Sequence, residues 1–129
     1  MKQQVIVVGL GRFGGAVARE LHRLGHEVLA VDADESVINE IAPEVTHALQ
    51  LDASDEAALR AAGAAEFQTA IVAMSGTVEA SIFATTALKR LGVPRVIAKA
   101  GSTLHGAILE RIGADRVVYP EREAGVDVA

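Results

Sequence analysis

Gly9, Gly11 and Gly14 keep the spacing G-x-G-x-x-G, and the residues around them are of the kinds that handle phosphate and ribose. Gly9 permits a tight turn, Gly11 brings backbone close to a pyrophosphate, and Gly14 lets a helix pack closely on a strand. The helix that follows presents free N–H groups and a partial positive charge to an anion. Leu10, Arg12 and Phe13 complete the loop. A cation in a first helical turn is unfavourable by roughly 0.3–1 kcal/mol, so Arg12 makes better sense beside a bound phosphate; the alternative is a guanidinium reaching solvent. Asp32 lies eighteen residues beyond Gly14. A carboxylate there accepts hydrogen bonds from both ribose hydroxyls and repels a 2′-phosphate, which points to NAD(H), ATP or ADP rather than NADP. The competing reading is a phosphate-free turn in which Asp32 caps a strand end.

These residues need a scaffold that brings them together. Val5 to Val8 form an apolar run expected as a strand buried on both faces, followed by a helix from Arg12 to Leu24 with Val17, Leu21 and Leu24 on one face. Strands are expected at Glu27 to Val31, His47 to Leu51, Thr69 to Ala73, Val96 to Ala98 and Arg116 to Tyr119. The intervening helices begin at the caps Asp34, Ser54 and Ser102 or Thr103, and the last of them holds Leu104, Ile108 and Ile112. Gly25, Gly63, Gly92 and Gly113 each close a helix just ahead of a strand. Six strands alternating with helices predict an α/β fold: a Rossmann-like doubly wound parallel six-stranded sheet of order 3-2-1-4-5-6.

That topology converges the glycine loop, Asp32 with Ala33, the turn from Asp52 to Ser54, and Ala73, Met74, Ser75 and Gly76 on one crevice at the carboxyl ends of the strands. Ala53 and Ala73 either leave space for an adenine ring or fill tight loop packing. Lys99, after the fifth strand, either reaches polyphosphate or is a surface lysine. Glu121 lies just past the sixth strand, at the far edge from the nucleotide, and by itself reads as a solvated acid. The four histidines form no recognised ligand spacing and are expected at the surface; Asp55 and Glu56 read as helix-dipole acids.

Composition narrows the class. The 129 residues suit one domain with an aliphatic core, being 50% hydrophobic and 3% aromatic. A net charge of −5, with 12 scattered basic residues, argues against a nucleic-acid partner. Cysteine is absent, so no disulfide or thiolate site can form. The first strand follows Met1 almost directly and no apolar run approaches the ~20 residues that span a bilayer, so the chain reads as cytoplasmic. A Tyr-Lys or His-Asp proton donor beside a nicotinamide is not evident. An NAD-dependent oxidoreductase domain lacking its catalytic half is the alternative to a binding module.

The run Val8 to Gly15, His22 to Asp32, Thr46-His-Ala48, Ala98-Lys-Ala100, and Leu109 to Arg116 with Pro120 and Glu121 together resemble the N-terminal (TrkA-N) domain of RCK proteins, regulators of potassium conductance. The resemblance spans nearly the whole chain and is nearest to the KtrA regulatory subunits of bacterial potassium uptake, with TrkA more distant. It implies a non-enzymatic, nucleotide-sensing gating domain that binds ATP, ADP or NAD(H) and changes ring geometry to control potassium flux. It further implies a dimer within an octameric ring, peripheral to the inner face of the membrane beneath an embedded potassium channel or transporter subunit. In such proteins the Arg of the loop contacts phosphate, the strand-end Asp holds ribose, and a Glu after the sixth strand joins a divalent-cation site between paired subunits; these positions fall on Arg12, Asp32 and Glu121. A crossover helix and a C-terminal lobe would follow residues 1–129, beyond this sequence.

Overall fold

Four short runs rich in Val, Ile and Ala build the centre of the sheet, and glycines with positive φ punctuate the chain between them. The computed structural model describes residues 2–74 and 76–121. Strands β1 (Gln4–Val8), β2 (Glu27–Asp32), β3 (His47–Gln50), β4 (Thr69–Val72), β5 (Arg95–Lys99) and β6 (Arg116–Val118) alternate with helices α1 (Arg12–Arg23), α2 (Glu35–Ile41), α3 (Glu56–Ala61), α4 (Val78–Arg90) and α5 (Thr103–Arg111). All pairings are parallel and the order is β3-β2-β1-β4-β5-β6, as predicted. Short 3-10 turns at Ala42–Glu44 and Ala64–Glu66, absent from the sequence reading, lead into β3 and β4.

Side chains alternate between the two faces of the sheet. Val5, Val7, Val28 and Ala30 pack with Ala18 of α1 and Ile38 and Ile41 of α2. Ile6, Val8, Leu29, Val31 and Val72 point the other way, toward Leu59 of α3, Ala84 and Leu88 of α4 and Leu109 of α5. Burying each such aliphatic side chain contributes about 1.5–3 kcal/mol. Gly25, Gly63, Gly92 and Gly113 adopt φ of +95°, +85°, +90° and +115°, the left-handed conformation that ends a helix with little cost only for glycine.

Three local expectations are corrected. The cap of α3 is Asp55, which accepts from the amides of Ala57 and Ala58; Ser54 is instead drawn to Asp52, whose Oδ1 accepts from both its amide (2.9 Å) and its hydroxyl (2.6 Å). In α1 the buried positions are Gly14, Gly15 and Ala18, while Leu24 is 59% exposed because the helix meets the sheet through its smallest residues. In α5 the phase is set by Leu109, so His105 and Gly106 turn inward and Leu104 is 72% exposed.

The switch point falls at the end of β1, whose Val8 is paired with Val31 of β2 on one side and Val72 of β4 on the other. Backbone bonds extend both ladders by one step, Gly9 N to Val31 O and Ala73 N to Val8 O, before the loops part. The crevice opens there.

Candidate functional site

The glycine loop is built by contact with the end of β4. Gly9 has φ +91°, and a Cβ on it would lie 2.8 Å from the backbone N and Cα of Met74. A Cβ on Gly14 would overlap Gly9 O and press the Cβ of Ala73 at 3.0 Å. The first turn of α1 therefore sits directly on the loop that precedes it, as the spacing predicts. Ala73 is buried, and its small size serves this packing rather than an adenine ring.

Gly11 is the N-cap of α1, with no side chain to cap it and no acid in the first turn. The other four α-helices are capped by Asp34, Asp55, Thr77 and Ser102, each accepting from an amide in its own first turn. The amides opening α1 have no partner further back in the helix and no cap, and Gly11 lines a cavity of about 220 Å³. The same cavity is walled by Gly9, Leu10, Asp32, Ala33, Asp52, Ala53, Met74 and Gly76. Nine of the residues expected at the crevice thus converge. Arg12 is exposed at the start of α1 and Phe13 is half-buried, neither lining the cavity; Ser75 lies outside the described residues.

Asp32 does more than end β2. Its Oδ2 accepts from Leu10 N at 2.8 Å and its Oδ1 from Asp34 N at 2.9 Å. The strand-end capping role and a ribose-binding role are compatible, since a carboxylate has about four acceptor positions and two remain. Asp52, which follows the neighbouring strand β3 and also lines the cavity, is held below the usual carboxylate range by the hydroxyl and then the amide of Ser54, so it is ionised at neutral pH.

A second cavity, of about 170 Å³, shares Met74 and Gly76 with the first and is lined by Thr77, Val78, Lys99, Gly101, His105 and Glu121. Lys99 belongs here and not with the glycine loop. Glu121 is likewise not remote from the crevice, as its strand position suggested: it faces the cavity adjoining it. Among the described residues, Glu121 is the one carboxylate lining this cavity, which it shares with the Lys99 ammonium. Among the described residues, no group of three His, Asp or Glu side chains is placed to hold a metal ion.

His105 corrects the expectation that the histidines are at the surface. It is 7% exposed, its Nε2 lies 2.6 Å from Ser81 Oγ, and its Nδ1 accepts from Gly101 N at 3.2 Å. Ser81 Oγ donates to Val78 O at 2.9 Å. With that proton committed, the partners assign the N–H to Nε2, donating to Ser81. A serine activated as a nucleophile needs the reverse polarity, so this buried pair ties α4 to the β5–α5 turn and performs no nucleophilic chemistry. Burial, and then the Lys99 ammonium, hold the imidazole below its usual pKa. The signal was the phase of α5, which Leu109 sets.

Residues 5–120 match the family model of the TrkA-N domain. The chain belongs to the TrkA-N family. This TrkA-N domain is 45% identical over 127 residues to the Ktr system potassium uptake protein A of Bacillus subtilis, covering 98% of this chain and 57% of that protein. It therefore spans little more than half the length of that relative. Among solved structures, the GsuK RCK domain superposes with a TM-score of 0.82 at 27% identity, covering 98% of this chain and 27% of that one. The NAD(P)-binding domain of an exopolyphosphatase-related protein from Archaeoglobus fulgidus does so with a TM-score of 0.83 at 25% identity, covering 98% and 96%. The resemblance to RCK N-terminal domains and the Rossmann-like architecture are thereby established.

Proposed function

We propose that this TrkA-N domain is a nucleotide-sensing regulatory module of a potassium transporter, without catalytic activity of its own. The observation that carries it is the uncapped N-terminus of α1, opening on the same cavity as the Asp32 carboxylate. That pairing presents N–H donors to phosphate and acceptors to ribose, the two polar ends of an adenosine diphosphate. Asp52 and Ala53 also line the cavity and would meet the base, while Arg12, exposed beside Gly11 at the start of α1, would meet the terminal phosphates. The shared adenosine diphosphate makes ATP, ADP and NAD(H) the ligand class, in keeping with the Archaeoglobus domain named for NAD(P) binding.

The likeness to a Ktr potassium uptake protein supports the coupling to potassium flux. A regulatory ligand acts only through differential affinity for two conformations, and the γ-phosphate of ATP is the group that distinguishes it from ADP. Arg12 is the cation suited to read that difference. We take residues 1–129 as the N-terminal nucleotide-binding half of such a subunit, located in the cytoplasm against the membrane-embedded transporter. Self-association is supported by Phe83 on α4 and Leu104 on α5, 55% and 72% exposed. The Glu121 of two paired copies could together hold a divalent cation.

Arg12→Ala tests the sensing role. ATP and ADP affinities measured on the unmodified and substituted chains should differ mainly in ATP, lowering its preference over ADP severalfold. An unchanged ATP-to-ADP ratio contradicts the assignment.

A further inference from the structure

Gln50 ends β3 in register with Asp32 of β2, and the two strands are further joined by Leu51 N to Asp32 O at 3.0 Å. The Gln50 side chain is exposed at the sheet edge, so it contributes nothing to the core, yet its Nε2 donates to Ala33 O at 3.0 Å. Ala33 O belongs to the same peptide group as Asp34 N, which donates to Asp32 Oδ1 at 2.9 Å. In a trans peptide these two groups point in opposite directions. Gln50, the 33–34 peptide and the Asp32 carboxylate therefore form one aligned chain of hydrogen bonds, in which a donor at the carbonyl strengthens the N–H as a donor to the carboxylate.

We propose that Gln50 is a positioning residue for ribose recognition: it locks the 33–34 peptide and through it the orientation of the Asp32 carboxylate. The other oxygen of Asp32 is held by Leu10 N, so the carboxylate is anchored through both oxygens, and Asp32 lines the cavity together with Ala33 and Ala53. Without Gln50, the 33–34 peptide loses the restraint on its carbonyl and the Asp34 N–H is a weaker donor to Asp32 Oδ1, so the carboxylate depends more on its Leu10 anchor. The proposal rests on the adenine-nucleotide reading of that cavity.

The test compares ADP with 2′-deoxy-ADP on the unmodified chain, on Gln50→Leu, which removes the donor at similar size, and on Gln50→Lys, which retains one. The unmodified chain should prefer ADP by about tenfold or more, as expected for a hydrogen bond to a charged acceptor. Gln50→Leu should cut that preference at least threefold, and Gln50→Lys should restore most of it, since any added charge acts on both ligands alike. In the ligand-free protein, the Asp34 amide should exchange its hydrogen faster in Gln50→Leu than in the unmodified chain. An unchanged ADP preference or an unchanged Asp34 exchange rate in Gln50→Leu overturns the positioning role while leaving the nucleotide reading intact. If the unmodified chain binds ADP and 2′-deoxy-ADP equally, ribose recognition and with it the positioning role fall while nucleotide binding stands; if it binds neither, the nucleotide reading falls as well.

Discussion

The backbone N–H of Leu10 donates to Asp32 Oδ2 over 2.8 Å, so the carboxylate that ends β2 also holds the glycine loop that follows β1. The two halves of the proposed nucleotide site, the glycine loop and the strand-end carboxylate, are thus mechanically joined before any ligand arrives. Preorganisation of this kind reduces the ordering that binding would otherwise require.

Asp32→Ala should therefore affect both binding and stability. It leaves the amides of Leu10 and Asp34 without their acceptor, at a cost of about 1–3 kcal/mol. Urea unfolding should report that loss, and calorimetric titration should show ADP affinity reduced at least tenfold. A variant of normal stability with normal ADP affinity would contradict both roles.

Adjacent glycines in α1 should respond in opposite ways to the same substitution. Gly14→Ala places a methyl against Gly9 O and the buried Ala73, where backbone must move, and should destabilise by about 1–3 kcal/mol or prevent folding. Gly15→Ala meets chiefly the mobile end of Arg19 at 3.2 Å, and should be neutral or stabilising by up to about 1 kcal/mol, as alanine is favoured over glycine inside a helix. Thermal melts of the two variants check the contrast.

The hydrogen bonds around His105 give a pH dependence of definite sign. The folded pKa is depressed by burial and by Lys99, so the unfolded chain binds the proton more readily. The contribution is fully present above the unfolded value of about 6.5 and is lost as pH falls through the folded pKa. Protonation also puts a second N–H against the Gly101 amide. His105→Gln should cost about 1–2 kcal/mol at pH 7.5, where the neutral imidazole is fully bonded, and less at pH 5. Urea midpoints of both proteins at the two pH values measure the gap, and a gap independent of pH would contradict the account.

The sheet order was legible because four of the five helices end in a glycine with a strand soon after; Gly25, Gly63, Gly92 and Gly113 mark boundaries by backbone conformation alone. Most of the cavity was legible for the same reason, since Gly9, Gly11 and Asp32 act from fixed positions at strand ends. What escaped depended on partners distant in sequence or on competition between neighbours. Ser54 and Asp55 are both good caps, and the choice between them is made by Asp52, which captures the serine. His105 is buried beside the exposed Leu104, an inversion of polarity made favourable by the Gly101 amide and by Ser81, 24 residues away. Lys99 and Glu121 sit at the ends of neighbouring strands, and their meeting in a second cavity depends on how the loop at Met74 and Gly76 divides the crevice.

The most direct test of the central claim is a calorimetric titration of the nucleotide-free protein with ADP, ATP and NADH, with and without Mg²⁺, repeated on Asp32→Ala. The account predicts micromolar binding of the adenine nucleotides at one site per chain, lost in the variant. Absence of binding by all three ligands, or binding that survives Asp32→Ala unchanged, would contradict it.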